Sequence, residues 1–276
     1  MGHQTQVTAS THKRETCRRS LLRALETLSR ARSISPEVLH KMRVDLRRLQ
    51  AWLELIGDKR AAEVLGECVS LVSPLRTLQV LEGWLARRKA PPSDLRKVRR
   101  ASQEMVEQLA EDRVFATIRQ TVSDLNDLDR DADPARRRKA WRLHLEFSAR
   151  LLSALRKNPK RRRLHALRLE LKQLRYQLEW VMGGTARYER LIKQLKQAQR
   201  RLGDYEDQAA FRKVAKQLDL QSHPAIVKRW RRARKAARAL PQNMSWLPAS
   251  LRQLARDETR PSVQPETGCP RELMSM

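Results

Sequence analysis

Between His40 and Ile56, apolar residues return every three or four positions. Met42, Leu46, Leu49, Leu53 and Ile56 fall on one face of a helix that turns about 100° per residue. The same rhythm runs through Leu167, Leu171, Leu174, Leu178 and Val181. Read along the chain, this period predicts helices near 11–31, 36–56, 59–89, 93–127, 134–157, 160–182, 186–217 and 222–239. Ser35-Pro36, Asp133-Pro134 and Asn158-Pro159 each set a capping side chain before a proline in the first turn. Gly57 and Gly183-Gly184 close periodic runs, and Ala90-Pro91-Pro92-Ser93 reads as a turn. Pro74 is expected to kink or break its helix. Residues 1–10 are expected to be flexible. From about residue 257 the chain holds three prolines and no apolar face, so 241–276 reads as a mostly disordered tail.

The two most regular helices resemble each other. At an offset of 125, His40 pairs with His165, Arg43 with Arg168, Asp45 with Glu170, Arg47 with Lys172 and Glu54 with Glu179. Leu46, Leu49 and Leu53 pair with Leu171, Leu174 and Leu178. A weaker match sets VSPLRTLQVL at 72–81 beside LGDYEDQAAF at 202–211. These repeats predict an all-α chain of two halves, 11–130 and 131–240. Each half is expected to be a four-helix unit.

Composition sharpens this picture. Only 8 of 276 residues are Gly, which counts against turn-rich β and doubly wound folds. The chain carries 59 Lys and Arg against 31 Asp and Glu, a net charge of +28. Such a body calls for a polyanion: nucleic acid, polyphosphate or an anionic membrane. No apolar run reaches the roughly 20 residues of a membrane span, and the N-terminus has no apolar signal-peptide core. Cys17, Cys68 and Cys269 form no CxxC pair, so neither a disulfide frame nor a zinc site is indicated, and a reducing cytoplasm is expected.

The charge is patterned. His40, Arg43 and Arg47 share a face away from the apolar stripe, as do His165, Arg168 and Lys172, with Arg175 one turn further. Arg48 lies apart. A charged helix face is ordinarily just solvated. Here the pattern occurs twice in register with its core, and few acids are at hand to neutralise it. Guanidinium forks then offer paired donors to phosphate oxygens. Lys196 and Arg200 share another helix face. Arg136–Lys139 and Arg161–Arg163 open helices, and cations surround the helix at 228–235, where they suggest general attraction. The six Trp read as packing. No metal cluster and no catalytic motif is evident, so no cofactor and no enzymatic activity are expected.

Together, His40-x-x-Arg43-Val44-x-x-Arg47-Arg48-Leu49 and His165-x-Leu167-Arg168-x-x-x-Lys172-x-Leu174-Arg175-Tyr176 resemble the CHAD family, the conserved histidine α-helical domain. LGDYED at 202–207 is similar to its LG-x-x-x-D element, and the resemblance spans about 11–240. It implies two pseudo-symmetric antiparallel four-helix bundles that form a basic central trough and bind inorganic polyphosphate there, in some cases at polyphosphate granules. It assigns that role to His40, Arg43, Arg47, Arg48, Arg76, His165, Arg168, Lys172 and Arg175, and the basic row of Lys196 and Arg200 is added to them for the helix face those two share. Protonated His40 and His165 should then strengthen binding below about pH 6.5. The sequence departs from the family at Thr77 and Gln79, where acids are usual, and at Gln50 and Gln173, where cations are common. The rival reading is a nucleic-acid binder, which the charge allows. Against it stand the lack of a zinc finger or recognition-helix unit and a thin aromatic content.

Overall fold

The structure is a computed structural model that describes residues 2–31, 33–125, 132–157, 160–181, 186–220 and 223–257. Among these residues it is all helical, with no strand. In chain order the helices are α1 (Gly2–Ser29), α2 (Pro36–Ile56), α3 (Lys59–Leu71), α4 (Ser73–Arg87), α5 (Pro92–Glu111), α6 (Val114–Ser123), α7 (Pro134–Lys157), α8 (Arg161–Val181), α9 (Ala186–Gln217), α10 (Pro224–Asn243) and α11 (Leu247–Asp257).

Local chemistry sets most of these boundaries. The Ser35 hydroxyl accepts from the Glu37 N–H to cap α2. At the other end Gly57 adopts φ 90° and its N–H bonds the carbonyls of Leu53 and Glu54. A left-handed residue there suits glycine, which has no Cβ to crowd the preceding carbonyl. The predicted helix over 59–89 is two helices, α3 and α4, bent by 41°. Pro74 lacks the N–H that would continue the first one. The helix predicted over 93–127 also divides, at Arg113 (φ 51°), into α5 and α6. No Gly or Pro marks that break.

Both ends of the chain hold more helix than its periodicity suggests. The α1 helix begins at Gly2. Leu247 and Leu251, one turn apart, bury the apolar face of α11 against the second core, so 247–257 is helical where a disordered tail was expected. Residues 258–276, including Cys269, lie outside the described residues. No single helix among the described residues is long and apolar enough to cross a membrane.

Three buried apolar clusters hold the helices together. The first joins α1, α2, α3 and α6 around Leu46, Leu49, Trp52 and Leu53. The second joins α7, α8, α9 and α11 around Leu167, Leu171, Leu174 and Leu178. Each fully buried Leu contributes roughly 1.5–3 kcal/mol by leaving water. The third cluster packs Leu81, Trp84 and Leu85 of α4 against Phe211 and Ala215 of α9. The α2 helix also lies against α8, and α4 against α9. The Trp180 indole on α8 donates to the Arg48 carbonyl on α2 at 2.8 Å. The two sequence repeats therefore meet face to face, and their charged faces converge at this junction.

Candidate anion-binding site

At the junction, α2 supplies His40, Arg43 and Arg47, α4 supplies Arg76, and α8 supplies Arg168 and Lys172. These six form one mutually repelling cluster. Burial comes first in lowering Arg43 to about 10, followed by the fields of Arg47, Arg76 and Arg168. Lys172 is pushed down to about 7 by burial, then by Arg168, Arg43 and Arg47. His40 is lowered by burial, then by Arg76, Arg43 and Lys172. Burial also lowers Arg47 and Arg76. Asp207 of α9 is the acid that faces several of these cations. Burial raises its pKa, while Arg168, Lys172 and Arg76 pull it back. Even with Glu54 acting on Arg47 and Glu37 on Arg76, the basic groups of the cluster outnumber the acids. Such frustration in a folded protein marks functional sites more often than structural ones.

Neutral groups hold several of these cations in place without cancelling them. Arg43 Nη2 donates to Ser73 Oγ at 3.0 Å, and that hydroxyl donates to the Val69 carbonyl at 2.6 Å. Arg47 Nη1 donates to Gln50 Oε1 at 2.7 Å, and Arg76 Nη1 to the Pro36 carbonyl at 3.2 Å. The Nε groups of Arg43 and Arg168 are buried and have no hydrogen-bond partner. A buried, unmatched N–H on a guanidinium costs about 1–3 kcal/mol or more, and an anionic oxygen would remove that cost.

The repeats explain how the two arginines are seated. Arg43 bonds Ser73, and its counterpart Arg168 lies over Gly203, the residue matched to Ser73. A Cβ added at Gly203 would sit 3.7 Å from Arg168 Nε. That is ordinary van der Waals distance, so the Arg168 guanidinium rests directly against Gly203.

The histidines diverge. In the 72–81 and 202–211 match, Arg76 corresponds to Glu206. His40 sits in the field of Arg76, whereas His165 Nδ1 lies 3.1 Å from Glu206 Oε2. His165 is therefore countered locally, and its side chain is half exposed (49%). Arg175 is buried, bonding Gln199 Oε1 at 2.9 Å and Glu179 Oε1 at 2.6 Å. Arg48 pairs with Asp45 at 3.3 Å and Glu179 at 3.6 Å, and Lys196 lies 3.4 Å from Glu179. Arg48 and Lys196 line a separate cavity of mixed charge with Cys17, Lys41 and Trp180. Arg200 is exposed on α9. The sequence-selected residues thus divide into six that gather and five that do not.

The departures at Thr77 and Gln79 also find an explanation. Gln79 Nε2 donates to the Ile34 carbonyl at 2.7 Å, a bond that an ionised acid could not donate. Thr77 bonds its own helix at the Ser73 carbonyl, 3.1 Å away. Gln50 and Gln173 both donate to Glu54.

Sequence reasoning missed the extension of the cationic surface beyond the repeats. Arg87, Arg88 and Lys89, just ahead of the Ala90-Pro91 turn, join Arg229 and Asp207 around a cavity of about 630 Å³. The Arg88 and Arg229 guanidinium groups lie 4.9 and 5.4 Å from the Trp84 ring centre. A basic helix end abutting a proline turn was the available signal, but only packing of α4 against α9 and α10 joins it to the cluster. Among the described residues, no group of three or more His, Cys, Asp or Glu could hold a metal ion.

Comparison with known proteins gives a consistent assignment. The family model of the CHAD domain matches residues 14–216. The fold is similar to the crystal structure of the CHAD domain from the plant Ricinus communis, with a TM-score of 0.57 and 18% identity over 91% of this chain and 90% of that one. No curated protein matches the chain.

Proposed function

The chain belongs to the CHAD domain family, and on that premise we propose that it binds inorganic polyphosphate, without catalysing a reaction, on the cationic surface where its repeats meet. CHAD domains are in general of a polyphosphate-binding type. The observation that carries the reading for this chain is the cluster of His40, Arg43, Arg47, Arg76, Arg168 and Lys172, with the buried N–H groups of Arg43 and Arg168 unpartnered. A linear polyanion with one charge per phosphate matches a site whose cations repel one another until an anion arrives. The neighbouring cavity with Arg87, Arg88 and Arg229 offers the chain a continuation past Asp207.

In this reading the chain is a duplicated unit of two pseudo-symmetric four-helix bundles with the trough between them, and polyphosphate granules are where it would gather in a cytoplasm. Nucleic acid is a weaker, charge-driven ligand. Competition between long-chain polyphosphate and duplex DNA or RNA, at about 150 mM salt where surface charges are screened beyond about 8 Å, tests this. Polyphosphate should displace either nucleic acid at far lower phosphate concentration than the reverse. Equal displacement would reduce the protein to a general polycation.

A further inference from the structure

We propose that the basic cavity between α4, α9 and α10 is a second condensed-phosphate site, and that a chain bridging it and the junction makes the protein select long polyphosphate over short. This rests on the reading of the junction as the first such site. The end of α4 and the turn after it supply Arg87, Arg88 and Lys89, and α10 supplies Lys228, Arg229 and Arg232. They line two cavities of about 630 and 330 Å³ that share Arg88, Gln208 and Arg229. Two carboxylates, Asp204 and Asp207, stand with these six cations. Among the described residues, none of the six side chains makes an ion pair or a hydrogen bond.

The wall of the larger cavity is rich in donors. The Arg88 and Arg229 guanidinium groups lie 4.9 and 5.4 Å from the centre of the Trp84 ring, which positions both forks and leaves their N–H groups to a ligand. Trp84 and Gln208 line the same wall, 4% and 2% exposed, and the indole Nε1 and the amide Nε2 have no hydrogen-bond partner. Buried donors are normally satisfied, and phosphate oxygens lodged here bring acceptors to that wall. A nucleobase finds no comparable support. The two guanidinium groups occupy the surroundings of the Trp84 ring and Phe211 is buried, so neither offers a face on which a base could stack.

Asp207 lines the larger cavity and also stands in the field of Arg168, Lys172 and Arg76 at the junction. The two sites therefore adjoin across Asp207. A phosphate chain long enough to pass it engages both at once, and its second contact becomes intramolecular. Linking two contacts in this way raises affinity by roughly 10²–10⁴-fold over either alone. A short chain fills one site at a time and gains nothing from the other. The family match ends at residue 216, and α10 begins at Pro224. Lys228, Arg229 and Arg232 thus stand outside the matched residues, and family membership alone does not account for them.

The test titrates the full chain with tripolyphosphate, ATP and long-chain polyphosphate by calorimetry at fixed ionic strength. Arg88→Gln with Arg229→Gln alters the cavity, Arg43→Glu with Arg168→Glu alters the junction, and Lys59→Gln with Arg60→Gln alters exposed positions of α3. The parent should bind two tripolyphosphates, and the cavity and junction variants one each. Long-chain polyphosphate should lose roughly 10–100-fold in affinity for the cavity variant and stay within about threefold for the α3 variant. Lys228→Gln with Arg232→Gln removes exposed side chains only, and should repeat the long-chain loss even where the first cavity pair disturbs folding. ATP should bind no tighter than tripolyphosphate. A single tripolyphosphate site in the parent, a long-chain loss no greater in the cavity variants than in the α3 variant, or ATP far tighter than tripolyphosphate would overturn the proposal. A single site that the junction variant abolishes would overturn this proposal alone, whereas a junction variant that binds long chains as the parent does would overturn the reading of the junction.

Discussion

Replacing Lys172 with Met keeps the length of the side chain and removes one charge from the cluster. Burial, then Arg168, Arg43 and Arg47, move the ammonium from 10.5 to about 7. Taken whole, a displacement of that size corresponds to about 5 kcal/mol. Lys172 keeps partial contact with solvent, and screening reduces the figure to about 2–3 kcal/mol. The unfolded chain protonates this group below 10.5, the folded chain only below about 7. The penalty on the folded state is therefore complete below pH 7 and fades as pH rises toward 10.5. Without ligand, Lys172→Met should be more stable than the parent below pH 7 by about 2–3 kcal/mol, a gain in Tm of roughly 4–10 °C. That gain should shrink steadily above pH 7. Calorimetry from pH 6 to 10 in a buffer free of multivalent anions measures it. Long-chain polyphosphate should raise the Tm of the parent more than that of the variant. A variant that melts below the parent at pH 6, or a gap that does not change with pH, would refute the idea of a strained, ligand-free cation cluster.

Other consequences separate the site from the scaffold. Polyphosphate affinity at constant ionic strength should fall by up to tenfold per pH unit above about pH 7, as binding must then protonate Lys172. The histidine contribution lies below 6.5, because the cations around His40 lower it in the free protein; a titration that is flat from pH 5.5 to 9 would contradict both. Arg175→Ala should lower stability by about 1–3 kcal/mol, since it leaves the buried Gln199 Oε1 without its donor and removes the Arg175 contact to Glu179, which keeps Arg48 and Lys196, yet leave the affinity of the folded protein within about threefold. Gly57→Ala should lose about 1–2 kcal/mol, because φ is 90° there and the new Cβ would meet the Arg136 guanidinium. Thermal melting would show it, with polyphosphate binding unaltered.

The helices of the core, and half of the site, were legible because one period governs both. The stripe from Met42 to Ile56 is buried throughout, and the face it leaves free must carry Arg43 and Arg47. Repetition extended this to Arg168 and Lys172. What the sequence could not convey was the identity of the neighbours. His40 and His165 are equivalent along the chain, but α4 brings Arg76 to one and α9 brings Glu206 to the other. Arg175 follows the cationic row by spacing, yet Gln199 and Glu179 claim it. Arg88 and Arg229 lie far apart along the chain, and they meet only because Trp84 and Phe211 pack α4 on α9. The break at Arg113 escaped notice because an arginine in the left-handed region leaves no compositional mark.

The most direct measurement compares polyphosphate binding by the parent and two doubly substituted chains of equal charge, at about 150 mM salt. Arg43→Glu with Arg168→Glu strikes the cluster. Arg60→Glu with Arg96→Glu strikes exposed positions, and both lower the net charge from +28 to +24. With about 1.5–3 kcal/mol per guanidinium–phosphate contact, the first variant should lose roughly 10²–10⁴-fold in affinity and keep its fold, while the second stays within about threefold of the parent. Equal losses in both variants would mean that total charge, and not the junction of the two repeats, draws the ligand.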